Sequence, residues 1–522
     1  MPQCPDHSTV PVPSPEVPPL SSPRAPHSPL NDEQTLRQLG YQPELARRIG
    51  PFGNFALSFS IISVLSGCMT LFGFGLTTGG PAVMLWGWAF VGLMVLAVGA
   101  ALAEVTSAYP VAGALYFMAN KLGGPRWGYV TGWFNLLGLL GGMAGGCYGT
   151  ALFAGAWLNL QWGFTPTPER TLGIFAVILL LLATLNMFGV RLVSVLNSIS
   201  VWWHLAGVTL IVGALVLVPS RHQSAGFVFG EFTNATGWSN PLYVGLLGLL
   251  LAQYTFSGYD ASAHLSEETK HAQVSAARGI VWSIFWSWVV GFVLLAGMLF
   301  AIQDYAGTVG SATGVPPAQI FLDALGTTAA KALLLIVIMA QLFCANAGLA
   351  SASRMVFAFS RDGALPLSST WRRLSARTQT PVGAVWLAVA VPFVLALPSL
   401  HSTTAYTAIV SINVIGITPA YAIPVYLRLR AGRHFTPGPW HLGSWSKPIG
   451  WIAVIWVGFV TVLFCLPAVS PVTVDTFNYA PLALLSVLLL AAVMWTTRGH
   501  RSYGIPEYGT AGERDDMAEK VV

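Results

Sequence analysis

Long apolar runs limit this chain more than any other feature of its sequence. Residues 136–158 and 171–188 (TLGIFAVILLLLATLNMF) contain no charged side chain. About 20 helical residues cross a bilayer core, and a helix satisfies its own backbone hydrogen bonds where water is absent. Such runs therefore predict membrane-spanning α-helices.

The composition excludes other classes of protein. Only 9% of the 522 residues are Lys, Arg, Asp or Glu, against roughly 25% in soluble proteins. The apolar runs are also unlike the short alternating strands of an outer-membrane barrel. We find no catalytic or phosphate-binding motif, and the five cysteines show no metal-ligand spacing. The chain is therefore not expected to be an enzyme, to hold a cofactor or metal, or to bind nucleic acid.

Twelve spans are predicted, with polar segments at both ends of the chain. The segment 1–50 is predicted to be an N-terminal tail, disordered over the Pro-rich residues 1–30, and 498–522 a polar, disordered C-terminal tail. The predicted spans are 53–77, 82–107, 127–156, 171–189, 196–218, 241–262, 278–302, 328–358, 382–398, 403–427, 449–468 and 478–496.

The cations predict the orientation. All but three of the 25 Lys and Arg residues fall on the side of the N-terminus; the exceptions are Arg170, Arg221 and Lys331. Because cations accumulate on the cytoplasmic side, we expect both termini in the cytoplasm. A multi-pass protein of a plasma membrane or a bacterial inner membrane is the expectation.

Two spans carry a matching interruption. Span 1 contains Ser66-Gly67 and span 6, five spans later, contains Ser257-Gly258. Both residue types weaken helix continuity, and interrupted segments in corresponding positions of two halves indicate a transporter binding site. Tight packing through small residues is the structural alternative. If both helices break, exposed amides on span 1 and exposed carbonyls on span 6 could hold a small zwitterion.

Few ionisable residues lie inside the predicted spans. Asp260 follows the span 6 interruption and could exchange a proton, or could be a structural acceptor at the helix break. His204 in span 5 could titrate near neutral pH, or be a satisfied structural imidazole. His264 and Glu268 are four residues apart and would share one helix face.

Six sequence blocks together are typical of one transporter family. Over about residues 33–500 the chain resembles the amino acid–polyamine–organocation permeases, and within them the amino acid/choline transporter branch. One departure is Ala114, where many relatives have a second Gly. The blocks are LGYQPEL (39–45), FSIISVLSG (59–67), LTTGGP (76–81), AEVTSAYPVAGALY (103–116), GYDASAHLSEET (258–269) and SASRMVFAFSRDGALP (351–366).

The resemblance implies an all-α polytopic fold of twelve spans, with a five-plus-five inverted repeat and broken spans 1 and 6. Residues 51–218 would form the first repeat and 219–430 the second, and 431–497 would hold two peripheral spans. Transport would proceed by alternating access around a midplane site.

The resemblance also implies site residues. The span 1 amides, here Leu65, Ser66 and Gly67, would bind a substrate carboxylate, and Tyr254 would cap the substrate. Asp260 falls where some proton-sensitive relatives have Glu, and His204 near a Lys of proton-coupled relatives. Gly348 indicates a roomier pocket beside span 8. The predicted substrate-binding set is Ser63, Leu65, Ser66, Gly67, Tyr254, Phe256, Ser257, Gly258, Tyr259 and Gly348, with Asp260 and His204 for proton coupling.

The predicted function is secondary active import of an amino acid or related amine, such as γ-aminobutyrate, coupled to protons. Sodium coupling, exchange and the oligomeric state stay open. A choline or polyamine permease is an alternative, since aromatic residues could enclose a quaternary ammonium. A non-transporting nutrient sensor is the least favoured reading. The aromatic candidates are Trp133, Tyr148, Trp202, Trp203, Tyr254 and Tyr259.

Overall fold

The protein is an all-helical bundle in a computed structural model, which describes residues 32–41, 47–188, 190–376, 378, 380–402 and 404–504. Within these ranges the only extended pairings are two isolated bridges. The helices of the twelve spans are Pro51–Ile62, Val64–Thr70 and Phe72–Thr77 (span 1), Gly80–Ala108, Pro125–Trp162, Pro168–Met187, Val190–Leu217, Pro241–Gly248, Leu250–Thr255 and Ala261–His264 (span 6), Ala272–Phe300, Pro316–Arg361, Val382–Ala396, Ala405–Ala431, Ser446–Leu463 and Ala480–Met494.

The predicted fold class and span count are confirmed. Eleven helical stretches of the described chain are long and apolar enough to cross a membrane, and the shorter apolar stretch Pro241–Thr255 belongs to span 6. Spans 3 and 8 are among those that are longer than predicted. Span 3 continues to Trp162, and the helix of span 8 starts at Pro316, with non-helical backbone at Gly326.

Spans 1 and 6 are both interrupted, but the break in span 1 is not at the predicted dipeptide. The helix ends at Ile62, turns at Ser63 with φ 28°, and resumes at Val64. Ser66 and Gly67 lie inside the resumed helix. In span 6 the helix ends at Thr255, and Gly258 has φ 89°, so the prediction there is confirmed.

Spans 3 and 10 cross at glycines. A Cβ on Gly138 would lie 2.4 Å from the amide nitrogen of Ile417, and one on Gly416 would lie 2.6 Å from the nitrogen of Gly138. Small residues at a crossing let two helices approach closely, as is common in membranes. This contact holds spans 3 and 10 together as one wall of the interior.

The described ends of the chain pack against the bundle. Residues Asp32–Gln38 form a helix in which Leu36 is buried, and the Asp32 carboxylate accepts from the amides of His271 and Ala272 at the start of span 7. Tyr503 is buried beside Tyr129. The prediction of a disordered C-terminal tail is therefore wrong for 498–504, while 1–31 and 505–522 lie outside the described residues.

Candidate functional site

A cavity lies between the two interrupted helices. Its volume is about 50 Å³, above the roughly 10–15 Å³ that a cavity needs to admit one water molecule. Spans 1, 3, 6, 8 and 10 contribute to its walls. The lining residues are Ile61, Ile62, Ser66, Gly67, Leu139, Gly142, Met143, Gly146, Tyr254, Thr255, Ser257, Gly258, Cys344, Ala345, Gly348, Asn413 and Ile417.

The structure brings six of the ten predicted substrate-binding residues to this cavity. Gly67 also sets how closely spans 1 and 6 approach, because a Cβ there would lie 2.3 Å from Thr255 Oγ1. On the opposite wall, a Cβ on Gly348 would lie 3.1 Å from Met143 Sδ, so the absent side chain leaves room beside span 8. The six residues are Ser66, Gly67, Tyr254, Ser257, Gly258 and Gly348.

The other four predicted residues do not line the cavity. Phe256 packs its ring 4.4 Å from that of Trp88, and Tyr259 lies 4.4 Å from Tyr421, measured between ring centroids. Leu65 is fully buried and Ser63 forms the break itself. The sequence places all four beside the interruptions, but side chains on a helix or turn point in different directions.

Spans 3 and 10 supply cavity residues that the sequence did not single out. Asn413 donates from Nδ2 to the Gly138 carbonyl at 2.7 Å. Its Oδ1 is buried without a hydrogen-bond partner in the described structure. A buried acceptor of this kind costs free energy unless something donates to it. The only signal for Asn413 in the sequence was its position in an apolar span, and other Asn residues of this chain share that signal without lining the cavity.

The residue at which the helix of span 1 resumes determines which backbone amides are unpaired and could donate to an anion. The Ser66 amide donates to Ser63 O at 2.8 Å and to Ser63 Oγ at 3.2 Å, and the Gly67 amide donates to Ser63 O at 3.0 Å. The first two amides of a helix have no intrahelical acceptor, and here these belong to Val64 and Leu65. Of the predicted amides of Leu65, Ser66 and Gly67, those of Ser66 and Gly67 are therefore already paired with Ser63.

His204 contacts the break in span 1 directly. Its Nδ1 lies 2.7 Å from the Ser200 carbonyl oxygen, and its Nε2 lies 2.6 Å from Ser63 Oγ. Because a carbonyl can only accept, Nδ1 carries a hydrogen. Nε2 then accepts from Ser63 in a neutral ring and donates to it in a protonated ring. The protonation state of His204 thus determines whether the Ser63 hydroxyl donates to the imidazole or accepts from it.

Asp260 is buried at the other break, in a network of donors. Tyr421 donates to Oδ1 at 2.8 Å and Asn135 to Oδ2 at 3.1 Å. Tyr421 also accepts from the Gly258 amide at 3.0 Å. The imidazole Nε2 of His264 lies 3.1 Å from Oδ2. Asp260 thereby fixes the backbone of span 6 against spans 3 and 10, on the side of the cavity nearer the N-terminal segment.

His264 and Glu268 do not form the helix-face pair that their spacing predicted. His264 contacts Asp260, four residues earlier, whereas Glu268 Oε1 lies 3.4 Å from Arg354 Nε. The helix between them ends at His264 and passes into a 3₁₀ turn, Ser266–Glu268. The described residues hold no cluster of His, Cys, Asp and Glu suited to a metal ion.

The aromatic candidates do not converge on the cavity. Of the six, only Tyr254 is among its lining residues. Trp202 is two-thirds exposed on the outside of the bundle, and Trp203 donates to the Ile336 carbonyl. A quaternary ammonium needs several ring faces within about 6 Å. The geometry therefore gives little support to a choline site.

A twelve-span bundle with two broken helices around a cavity has the architecture of a secondary transporter. Comparison with known proteins gives the family: the model described as "Amino acid permease" matches residues 49–489, and the chain belongs to that family.

Similar proteins come from plants and fungi. The chain is 39% identical to the amino-acid permease BAT1 homolog of Oryza sativa subsp. japonica (88% of this chain, 92% of the relative). It is 37% identical to amino-acid permease BAT1 of Arabidopsis thaliana (88% and 93%). A GABA-specific permease of Saccharomyces cerevisiae is 30% identical (94% and 88%). The family resemblance seen in the sequence is thus confirmed.

Proposed function

We propose that this permease imports a small amino acid or related amine, such as γ-aminobutyrate, together with protons. The observation that carries the proposal is the cavity between the breaks, with a helix N-terminus from span 1 on one side and a helix C-terminus from span 6 on the other. Opposite partial charges at these ends suit a molecule that carries both an anion and a cation.

The substrate groups can be assigned to opposite walls. The carboxylate would meet the hydroxyl of Ser66, which lines the cavity at the positive end of the resumed helix; the amides of Val64 and Leu65 lie at that end but not among the lining residues. The ammonium would meet the last carbonyls of Leu250–Thr255 and the unpaired Oδ1 of Asn413. Tyr254 would cover the chain between the two groups. The small volume and Gly348 favour a short, unbranched substrate.

Coupling to protons is proposed for His204. Its Nε2 faces the hydroxyl that caps the resumed helix, so a proton on His204 would reverse the hydrogen bond at the carboxylate end of the site. The cationic ring would occupy the position that the family resemblance assigns to a built-in cation. The N-terminal face would be cytoplasmic, given the distribution of Lys and Arg.

Uptake by purified protein in liposomes tests this function. Labelled γ-aminobutyrate, alanine, lysine, choline and putrescine are offered with and without an inward proton gradient. We expect accumulation of the small zwitterions and its loss when the gradient is dissipated. Accumulation of choline alone would contradict the substrate assignment. Uptake that ignores the gradient but needs internal substrate would identify an exchanger.

A variant that fills the cavity tests the site separately. Gly348→Val should lower the affinity for the best substrate by at least about tenfold, because the added methyl groups compete with substrate for space beside Met143. Gly173→Val is the matched control, because a Cβ on Gly173 meets nothing within 4 Å. Equal affinities in the two variants would place the site elsewhere.

A further inference from the structure

The contacts of His264 require a proton between its side chain and that of Asp260. Nδ1 lies 3.2 Å from the Ala112 carbonyl oxygen, which can only accept, so Nδ1 carries a hydrogen. Nε2 faces Asp260 Oδ2 at 3.1 Å. Two lone pairs at this distance would repel, so a hydrogen lies on the nitrogen or on the oxygen. Both side chains are fully buried.

Removal of that proton would break a bridge across the N-terminal side of the cavity. Asp260 is bound to Asn135 of span 3 and Tyr421 of span 10. His264 is bound to Ala112 in the loop that follows span 2. The shared hydrogen is the link between these two sets of contacts. Without it, the neutral imidazole has one hydrogen for two acceptors, so it loses its hydrogen bond either to Asp260 or to Ala112.

We propose that Asp260 and His264 form a proton-binding site whose occupancy holds the N-terminal side of the permease closed. On release, the bond between the imidazolium nitrogen and its hydrogen breaks, the electron pair stays on Nε2, and the proton passes to water at that face. The hydrogen-bonded link that runs from the loop after span 2 through His264 and Asp260 to spans 3 and 10 is then lost. This site deepens the proposed proton coupling, and its location on the cytoplasmic side rests on the proposed orientation.

Other charged groups pack near this pair, and their titration could also make opening depend on pH. The Ala112 amide donates to Glu267 Oε1 at 3.0 Å, and Arg361 Nη2 lies 3.6 Å from the same oxygen. Asp362 accepts from the hydroxyls of Tyr41 and Tyr116. Burial raises the pKa of Asp362 to about 6, so this carboxyl would titrate in the range of interest. Glu268 is paired with Arg354 from span 8.

Cys344 is a native reporter of opening because it lines the cavity. The test uses the full chain with Cys4, Cys68, Cys147 and Cys465 replaced by Ser, in inside-out membrane vesicles without substrate. A membrane-impermeant thiol reagent then reaches Cys344 only from the N-terminal face. The rate of Cys344 labelling is measured from pH 5.5 to 8.5 and divided, at each pH, by the rate for His264→Gln in the same background. This division removes the pH dependence of the thiol, because Gln donates to Asp260 but does not titrate.

We expect this ratio of labelling rates to rise with pH by up to about tenfold per pH unit, which is the limit for release of one proton. Asp362→Asn and His204→Gln should keep this rise. Asp260→Asn should abolish it, and serves as the second variant if His264→Gln is not recovered in the membrane. A ratio of labelling rates that does not change with pH in the parent would overturn the proposal. So would a rise that Asp362→Asn or His204→Gln abolishes. Uptake that ignores a proton gradient, with the rise intact, would refute the proposed coupling while leaving the proton-binding site in place.

Discussion

The breaks in spans 1 and 6 serve one cavity but are built differently. In span 1 a single residue, Ser63, interrupts the helix, and its side chain caps the next turn. In span 6 the chain runs non-helically from Phe256 to Asp260, and Gly258 adopts a left-handed conformation. A short capped break leaves few backbone groups unpaired, whereas a long break needs partners from other spans.

The partners of the two breaks differ accordingly. Ser63 is held by one imidazole, that of His204 in span 5. The span 6 break is held by Tyr421 and Asp260, and through Asp260 by Asn135 and His264. The comparison teaches that the first break depends on a local cap and the second on a buried network. Removing a residue of the network should therefore cost more than removing the cap.

The largest effect is expected for Asp260→Ala. Three buried groups would lose their acceptor, and breaking a buried charged contact costs about 3–5 kcal/mol. Gradient-driven uptake should also be lost. Thermal unfolding in detergent measures the stability, with Ser257→Ala as control in the same break, for which about 0.5 kcal/mol or less is expected. A loss for Asp260→Ala no greater than that of the control would mean that the network does not hold span 6.

Replacing the glycines of the two Ser-Gly pairs should rank next. A Cβ on Gly258 would lie 2.2 Å from Ile61 Cγ2 and would also meet a φ of 89°, whereas a Cβ on Gly67 would lie 2.3–2.7 Å from three side-chain atoms of Thr255 at an ordinary helical φ. We expect Gly258→Ala to cost roughly 1–2 kcal/mol more than Gly67→Ala.

The same unfolding assay tests this ranking. Gly146→Ala is the control, because Gly146 lines the cavity but a Cβ there meets nothing within 4 Å. If Gly67→Ala were the more damaging change, the backbone conformation of Gly258 would not be what sets the cost of a side chain at these two glycines.

A smaller effect is expected from the cap of span 1. Ser63→Ala should cost about 1–2 kcal/mol, through loss of the cap and of the partner of His204. His204→Ala should cost less after Ser63 has already been replaced. A double-mutant cycle of Ser63→Ala and His204→Ala should give a coupling energy of at least about 0.5 kcal/mol. Additive losses would show that the 2.6 Å contact contributes nothing to stability.

The smallest effect concerns positive φ at residues other than Gly. Ala114 has φ 41°, and Ser63 has φ 28°. Ala114→Gly should stabilise the protein by about 1 kcal/mol, because glycine adopts this conformation without a Cβ clash. Ser63→Gly should not stabilise it, since the cap is lost along with the strain. A gain for Ser63→Gly would show that the serine side chain is not needed for this break.

Much of the architecture could be predicted from the chain alone, because span length and apolar content are local properties. Ser257-Gly258 correctly marked the second break. Ser66-Gly67 did not mark the position of the first break, since a dipeptide that weakens a helix does not determine where the backbone turns. That position coincides with the contact between Ser63 and His204, which are 141 residues apart.

The cavity walls were predicted only in part. Span 3 contains so many glycines that Gly142 and Gly146 carry no distinguishing signal, and Asn413 faces the cavity only because span 10 crosses span 3 at Gly138. Phe256 and Tyr259 were assigned to the site by proximity to the break, but their rings pack against Trp88 and Tyr421.

The sequence by itself determined a twelve-span membrane protein with interrupted first and sixth spans, because apolar runs of bilayer length have few alternatives to helices. Only the tertiary structure decided which residues face the cavity and which groups the His264 ring contacts. Asp260 and His264 are separated by one helical turn, but the acceptor that requires a hydrogen on His264 is the carbonyl of Ala112. That contact joins residues 152 positions apart, and local sequence patterns do not encode such distances.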